Sequence, residues 1–267
     1  MLPERAAGNQ GPAIRCSARL CRTRRKPGSV GGMSEPRVAL VTGANKGIGF
    51  EIAKLLGTAH GMKVLIGARD AVRGKEAAAA LGDFATAVVL DVTDEESVAA
   101  LGALERLDVL VNNAGVLLER GAPPSGTPVD LLRQTFETNV YGVVAVTNAT
   151  LPVLRRSDAG RIVNLSSGLG SLAFTTEPSH VYAQNPLLAY NASKSALNAV
   201  TVSFANELRG TAIKVNAADP GYCATDMNGH AGPRTPVQGA TAAVRLATLP
   251  ADGPTGGFFD EDGPVPW

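Results

Sequence analysis

From Arg37 onward, short runs rich in Val, Ile and Leu alternate with longer amphipathic stretches, and this alternation limits the fold more than any other feature of the chain. The runs are RVALVTG, KVLIGAR, ATAVVLDV, LDVLVNNAG, GRIVNLSS and AIKVNAADPG. Each is too short for a helix and reads as a strand buried on both faces. Between them lie GFEIAKLLGTAHG, DAVRGKEAAAALG, TDEESVAALGALERL, a helical stretch from Pro128 to about Arg156, another from about Leu188 to Arg209, and TPVQGATAAVRLATL. Strand, helix, strand repeated in this way predicts an α/β fold, a doubly wound parallel sheet of Rossmann type in a single domain. Ligands of such sheets bind beyond the carboxyl ends of the strands, so the residues that follow each strand carry the functional information.

Residues 1–33 stand apart. They have a Gly/Pro/Arg composition without helical period, and carry Arg5, Arg15, Arg19, Arg22, Arg24, Arg25 and Lys26 against Glu4. This segment is expected to be a disordered basic extension, or the product of an upstream start, with Met33 just before the first strand. The catalytic domain is expected over 34–267, where 45% hydrophobic residues across the chain suffice for one sizeable core. Arg-rich, acid-poor leaders also occur as organellar transit peptides, but no apolar run is long enough for a signal peptide or a membrane span. The whole chain is formally +1, so the body beyond the basic segment is mildly acidic, which argues against a nucleic-acid groove. Cys16 and Cys21 fall in the extension and leave Cys223 alone in the body, a usage that fits a reducing, cytoplasmic setting. His60, His180 and His230 are scattered and read as surface residues, so no metal site is expected.

The first strand ends in TGANKGIGFEIA, placing Gly43, Gly47 and Gly49 at a strand-to-helix turn together with Asn45, Lys46 and Ile48. Glycines there allow a tight turn and close approach of backbone to a pyrophosphate, at the positive end of the next helix. Three residues separate the first two glycines, unlike the commoner G-x-G-x-x-G, and packing alone also accounts for such a turn. Further on, YAQNPLLAYNASK holds two tyrosines, and only Tyr190 has a lysine, Lys194, four residues later; Tyr182 has Pro186 in that place. Residues i and i+4 share a helix face, and a nearby ammonium stabilises a phenolate whose unperturbed pKa is about 10. An amphipathic helix also produces such a pair by chance.

These strand ends together resemble the short-chain dehydrogenase/reductase family over nearly all of residues 37–259. Thr42 to Gly49 match its T-G-x-x-x-G-I-G pattern, and Tyr190 and Lys194 its Y-x-x-x-K signature. Asp91 and Val92 occupy the position that in the family lies against the adenine. Asn112-Asn113-Ala114-Gly115 match the N-N-A-G element that supports the sheet and flanks the cofactor, Asn139 matches the family's helix asparagine, and Pro220-Gly221 match the P-G element beside the nicotinamide. The resemblance implies that Tyr190 donates the proton in carbonyl reduction and accepts it in reverse, while Lys194 tunes it and holds the nicotinamide ribose. It assigns Ser167, with Ser166 as the alternative, to the substrate carbonyl, and Asn139 to a water that connects Lys194 to solvent.

The implied cofactor is NADP(H). An NAD enzyme wants an acid after the second strand, yet GARD places Ala68 there, followed by Arg69, whose forked donors suit a 2′-phosphate; Lys46 adds a second cation. Asp70 reads either as a competing acid or as the cap of the next helix. Ser167 and Tyr190 lie 23 positions apart, longer than is common in the family, so LAFTTEPSHVYAQNP contains an insertion. Insertions there, and endings such as TGGFFDEDGPVPW, resemble carbonyl-reductase-like members, some of them monomeric; a monomer and a homo-oligomer both remain open. Leu169, Leu172, Phe174, Val181 and Tyr182 either line the pocket or pack the insertion onto the domain. Substrate walls are expected from 116–127, from the insertion and from Tyr222 to about Pro236. The expected activity is NADPH-dependent reduction of a ketone or aldehyde. The alternatives are a non-catalytic NADP-binding sensor or scaffold, and an epimerase or dehydratase that uses the nicotinamide transiently.

Overall fold

In the computed structural model, which describes residues 35–119, 121 and 123–267, seven parallel strands form one sheet in the order β3-β2-β1-β4-β5-β6-β7. The strands are β1 (Val38–Thr42), β2 (Lys63–Ala68), β3 (Ala85–Val89), β4 (Val109–Asn112), β5 (Arg161–Leu165), β6 (Lys214–Ala218) and β7 (Phe258–Phe259). The flanking helices are α1 (Gly47–Thr58), α2 (Ala71–Leu81), α3 (Glu95–Ala99), α4 (Val129–Phe136), α5 (Gly142–Leu154), α6 (Leu172–Thr175), α7 (Leu188–Glu207) and α8 (Pro236–Ala247). Strand order reverses between β1 and β4, which opens a crevice at their carboxyl ends. Residues Pro36–Trp267 pack as one compact unit, and the basic extension expected over 1–33 lies outside the described residues.

Period-two alternation along the strands divides the core between two layers. Ala39, Val41, Val109, Val111 and Val163 face α1 and α8 through Ile52, Leu56, Ala243 and Ala247. Leu40, Leu110, Ile162 and Val215 face the opposite layer through Val146, Val153, Leu154, Ala205 and Leu208. Burial on both faces therefore holds for the central strands. It fails at β3, an edge strand that leaves Val89 about half exposed at 52%.

Three further expectations are corrected. The apolar pair Phe258–Phe259 forms a seventh strand, paired with Ala217 and Ala218; two residues are too few to show a sequence period. The helix expected over TDEESVAALGALERL stops at Ala99 and tightens into a 3-10 turn over Ala100–Ala103. The long helix expected from Pro128 is broken by a π turn over Glu137–Tyr141, closed by the Gly142 N–H donating to the Glu137 carbonyl. One extra residue per turn rotates Asn139 inward, and such single π turns recur at functional sites.

Candidate functional site

The glycine turn after β1 is sewn to the end of β4. Thr42 Oγ1 accepts from the N–H groups of Asn113 (3.0 Å) and Ala114 (2.9 Å), while Asn113 Nδ2 donates to the carbonyls of Thr42 (2.8 Å) and Gly43 (3.2 Å). The glycines divide their work. A Cβ on Gly49 would stand 2.3 Å from Asn113 Nδ2, and one on Gly43, whose φ is +63°, 3.0 Å from Ala114 Cα, so these two serve packing. Gly47, at φ +59°, has only the Thr225 methyl within 4 Å at 3.7 Å and faces open space. No side chain caps the first turn of α1, whereas Asp70, Asp94 and Thr235 cap α2, α3 and α8. Uncapped helix N–H groups behind a glycine without a Cβ fit the phosphates of a dinucleotide.

Beside this turn, Asn45, Lys46, Arg73, Glu76, Ala77 and Asp226 line an open hollow. Asp70 accepts from the N–H groups of Val72 (2.9 Å) and Arg73 (3.1 Å), so it is the cap of α2, and these bonds hold its carboxyl below the usual range. Arg69 is exposed and close enough to Asp91 to lower its pKa, behind the larger effect of the Thr93 N–H. Asp91 itself closes a turn onto Thr93, and Val92 is buried against Gly142. Lys46 forms an ion pair with Asp226 at 2.5 Å, which among the described residues leaves Arg69 and Arg73 as the cations of this corner without a full-strength partner; Arg73 lies 3.8 Å from the capping Asp70. Ile48 packs against the α1–α8 core layer.

At the neighbouring strand ends the polar candidates converge. The turn Gly168–Gly170 after β5 lies flat on α7, where a Cβ on Gly170 would stand 2.7 Å from Lys194 Cβ. This contact sorts the two serines. Ser166 is buried and donates to Asn198 Oδ1 at 2.5 Å. Ser167 accepts from the Leu169 N–H at 3.2 Å and lies close enough to the Tyr190 phenol to act on its pKa. Lys194 is 5% exposed; its Nζ donates to the Leu165 carbonyl at 2.7 Å and lies 5.6 Å from the centre of the Tyr190 ring.

Burial pushes the Lys194 ammonium down to about 8, opposed by the charge of Asp219. Burial and then Asp219 push the Tyr190 phenol well up, and the Ser167 hydroxyl acts in the other direction. One of the three ammonium N–H groups is thus satisfied by a main-chain carbonyl. Asn139 is fully buried: Oδ1 accepts from the Val116 N–H (2.8 Å), and Nδ2 donates to the Val116 carbonyl (3.0 Å) and to Ser193 Oγ (3.0 Å). A Cβ on Gly115 would stand 3.3 Å from Asn139 Oδ1 and 3.7 Å from Lys194 Nζ, so glycine keeps a gap between them. Pro220 and Gly221, at φ +69°, follow β6 on the same edge.

Four residues that bear on this site escaped the sequence reading. Arg73 sits in the first turn of α2. Asp219 precedes the Pro220-Gly221 pair and is buried at the end of β6. Asp226 reaches Lys46 across the crevice, and Glu119, 8% exposed, accepts from the Tyr190 N–H at 2.8 Å and so caps α7. Only Asp219 had a sequence signal, its place directly after a strand. The insertion forms α6 and a 3-10 turn over Val181–Gln184. Leu172 and Val181 point to solvent, Leu169 is half-buried, Phe174 packs on the Phe258/Val265 cluster, and Tyr182 covers Gly168. His180, expected at the surface, is half-buried and stacks on Phe174 with ring centres 4.3 Å apart.

A doubly wound sheet with a glycine turn at its switch point and a Ser/Tyr/Lys/Asn cluster on the same edge defines a Rossmann-type oxidoreductase scaffold. The family model for short chain dehydrogenases matches residues 37–235, and the chain belongs to that family. It is 36% identical to a short-chain dehydrogenase of Penicillium roqueforti over 79% of this chain and 88% of that protein. It is 34% identical to the NADPH carbonyl reductase 1 of Sus scrofa over 88% and 95%. Among solved structures, the NADPH-bound carbonyl reductase from chicken fatty liver superposes with a TM-score of 0.75 at 26% identity, covering 87% of this chain and 99% of that one.

Proposed function

We propose that this protein is an NADPH-dependent oxidoreductase that reduces a ketone or aldehyde to the alcohol, with Tyr190 as the proton donor. The observation that carries the reading is the convergence of Ser167, Tyr190 and Lys194 at the carboxyl edge of the sheet, one strand removed from the uncapped α1 turn. When bound, the nicotinamide supplies the hydride. The Ser167 hydroxyl donates to the substrate carbonyl as charge develops on oxygen, and the phenol of Tyr190 passes its proton to that oxygen. Lys194 binds the ribose and assists return of the proton. Asn139 Oδ1, which accepts from the Val116 N–H and stands beside Gly115, has capacity for a second donor and holds a water there that links Lys194 to solvent. Arg69 and Arg73 take the 2′-phosphate, with Gly43 to Gly49, Asp91, Val92, Asn113 to Gly115, Pro220 and Gly221 around the rest of the dinucleotide. NADPH is further supported by the NADPH named for the pig and chicken relatives.

The test follows NADPH and NADH oxidation against quinones, aldehydes and cyclic ketones, with Tyr190→Phe alongside. NADPH-dependent turnover that falls by about 10²- to 10⁴-fold in Tyr190→Phe while NADPH binding survives is the expected result. NADPH binding without turnover on any carbonyl would favour a sensor or a transient-hydride enzyme instead.

A further inference from the structure

The helix that carries Tyr190 begins without a cap of its own. Leu187, at the position before the first turn of α7, has no side-chain acceptor to offer, and the N–H of Tyr190 in that turn has no helix carbonyl behind it to receive its bond. Glu119 fills the place from 71 positions away in the chain. Its Oε2 accepts from the Tyr190 N–H at 2.8 Å, and Oε1 accepts more weakly from Thr127 Oγ1 at 3.5 Å. The carboxylate is buried and stands at the positive end of a 20-residue helix. Such a bond is favoured by the helix dipole, and losing it would leave a main-chain donor without a partner away from water.

The other main-chain group of Tyr190 is held as well. Its carbonyl accepts from Ser193 Oγ at 2.7 Å, Ser193 Oγ accepts from Asn139 Nδ2 at 3.0 Å, and Asn139 grips both the N–H and the carbonyl of Val116, three residues before Glu119. These bonds close a ring. It runs from Tyr190 through Glu119 back along the chain to Val116, and from there through Asn139 and Ser193 to Tyr190 again. Val116 to Glu119 open the segment 116–127 that is expected to wall the substrate, so the ring joins the backbone of the tyrosine to that wall. We infer that Glu119 is a positioning residue for Tyr190, whose carboxylate, through the Tyr190 N–H, fixes the tyrosine backbone to the start of the substrate wall and so sets where the phenol stands beside Ser167. Displacing a reacting group by about 1 Å can cost as much as 10²-fold in rate, which gives a fixed backbone at Tyr190 a direct chemical use. The catalytic meaning of this role rests on the reductase reading; the hydrogen-bonded ring does not.

The experiment follows the full chain with tyrosine labelled by 15N at the amide and 13C at the ring, so that only four residues report, and Tyr190→Phe assigns the signals of Tyr190. In the parent, the Tyr190 N–H should exchange with solvent at least about tenfold more slowly than an uncapped first-turn amide, a readout that needs no variant to fold. In Glu119→Ala that protection should vanish and the Tyr190 ring signal should move, while those of Tyr141 and Tyr222 stay. With the same variant, kcat for carbonyl reduction should fall about tenfold and the Kd for NADPH should hold. Glu119→Gln, which keeps an acceptor oxygen at the same reach, should restore kcat to within about threefold of the parent. A cap that served stability alone would lower the melting temperature and leave kcat intact well below it. An unprotected Tyr190 N–H in the parent, an unchanged kcat in a folded Ala variant, or a fall in the Gln variant equal to that in the Ala variant would each overturn the inference. If the parent reduces no carbonyl while the Tyr190 signals respond to Glu119→Ala, the reductase reading fails and Glu119 still places Tyr190. Turnover in the parent with Tyr190 signals indifferent to Glu119→Ala would sink the inference and leave the reductase reading in place.

Discussion

Tyr190 and Lys194 are buried titratable groups whose burial acts in opposite directions: it favours the neutral phenol and disfavours the ammonium. A phenol held protonated suits an acid that gives its proton to a carbonyl oxygen. Lys194, brought down to about 8, stays charged below that pH and discharges above it, so kcat/KM for NADPH should fall as pH rises through about 8, as read in a pH series with a single carbonyl substrate. The two serines make a sharper contrast. Ser167→Ala should lower kcat by about 10²- to 10³-fold with little change in thermal stability, because its hydroxyl lies beside the Tyr190 phenol and takes only the Leu169 N–H of its own turn. Ser166→Ala strands Asn198 Oδ1 and should instead lower stability by about 1–3 kcal/mol, measured by denaturant unfolding, while the chemistry proceeds.

At the level of elements, the β1–α1 turn and the start of α2 form the proposed cofactor corner. Gly43→Ala adds a Cβ where φ is +63° and Ala114 Cα is 3.0 Å away, and should cost about 1–3 kcal/mol of stability in the same unfolding assay. Arg69→Ala and Arg73→Ala should each raise the Kd for NADPH about tenfold or more and leave that for NADH nearly unchanged, as measured by calorimetry, since only NADPH offers the 2′-phosphate. The π turn between α4 and α5 is the element that aims Asn139 at Val116 and Ser193. A regular helix through Glu137–Tyr141 would turn the same side chain away from both partners.

Over the whole molecule, the insertion and the last residues hold each other in place. Ser171 Oγ donates to the Pro266 carbonyl (2.7 Å), the Ala173 N–H donates to Trp267 O (3.0 Å), and Trp267 stacks on Phe258 with ring centres 5.5 Å apart. The aromatic group of Phe174, His180 and Tyr182 continues this contact toward Gly168, beside Ser167. Trp267→Ala should therefore lower amide protection across 171–184 in hydrogen exchange more than in β1 or β4, and raise KM for bulky carbonyls more than it changes kcat.

Strand ends, glycine turns, the Tyr190/Lys194 spacing and the Asp70 cap were legible in the chain because periodicity, capping and turn geometry are local properties that residue type alone expresses. The sheet followed from them, since alternating strands and helices have few ways to bury their apolar faces. Tertiary contacts decided the rest. Ser166 and Ser167 are identical neighbours, and only the approach of Asn198 and Tyr190 from α7 gives them different partners. The break in the long helix depends on Val116 and Ser193, and the burial of Asp219 on Gly168, Gly221 and Tyr182, all remote in sequence. Hydrogen-bond partners and desolvation belong to the assembled fold, so no window of sequence around these residues contains them.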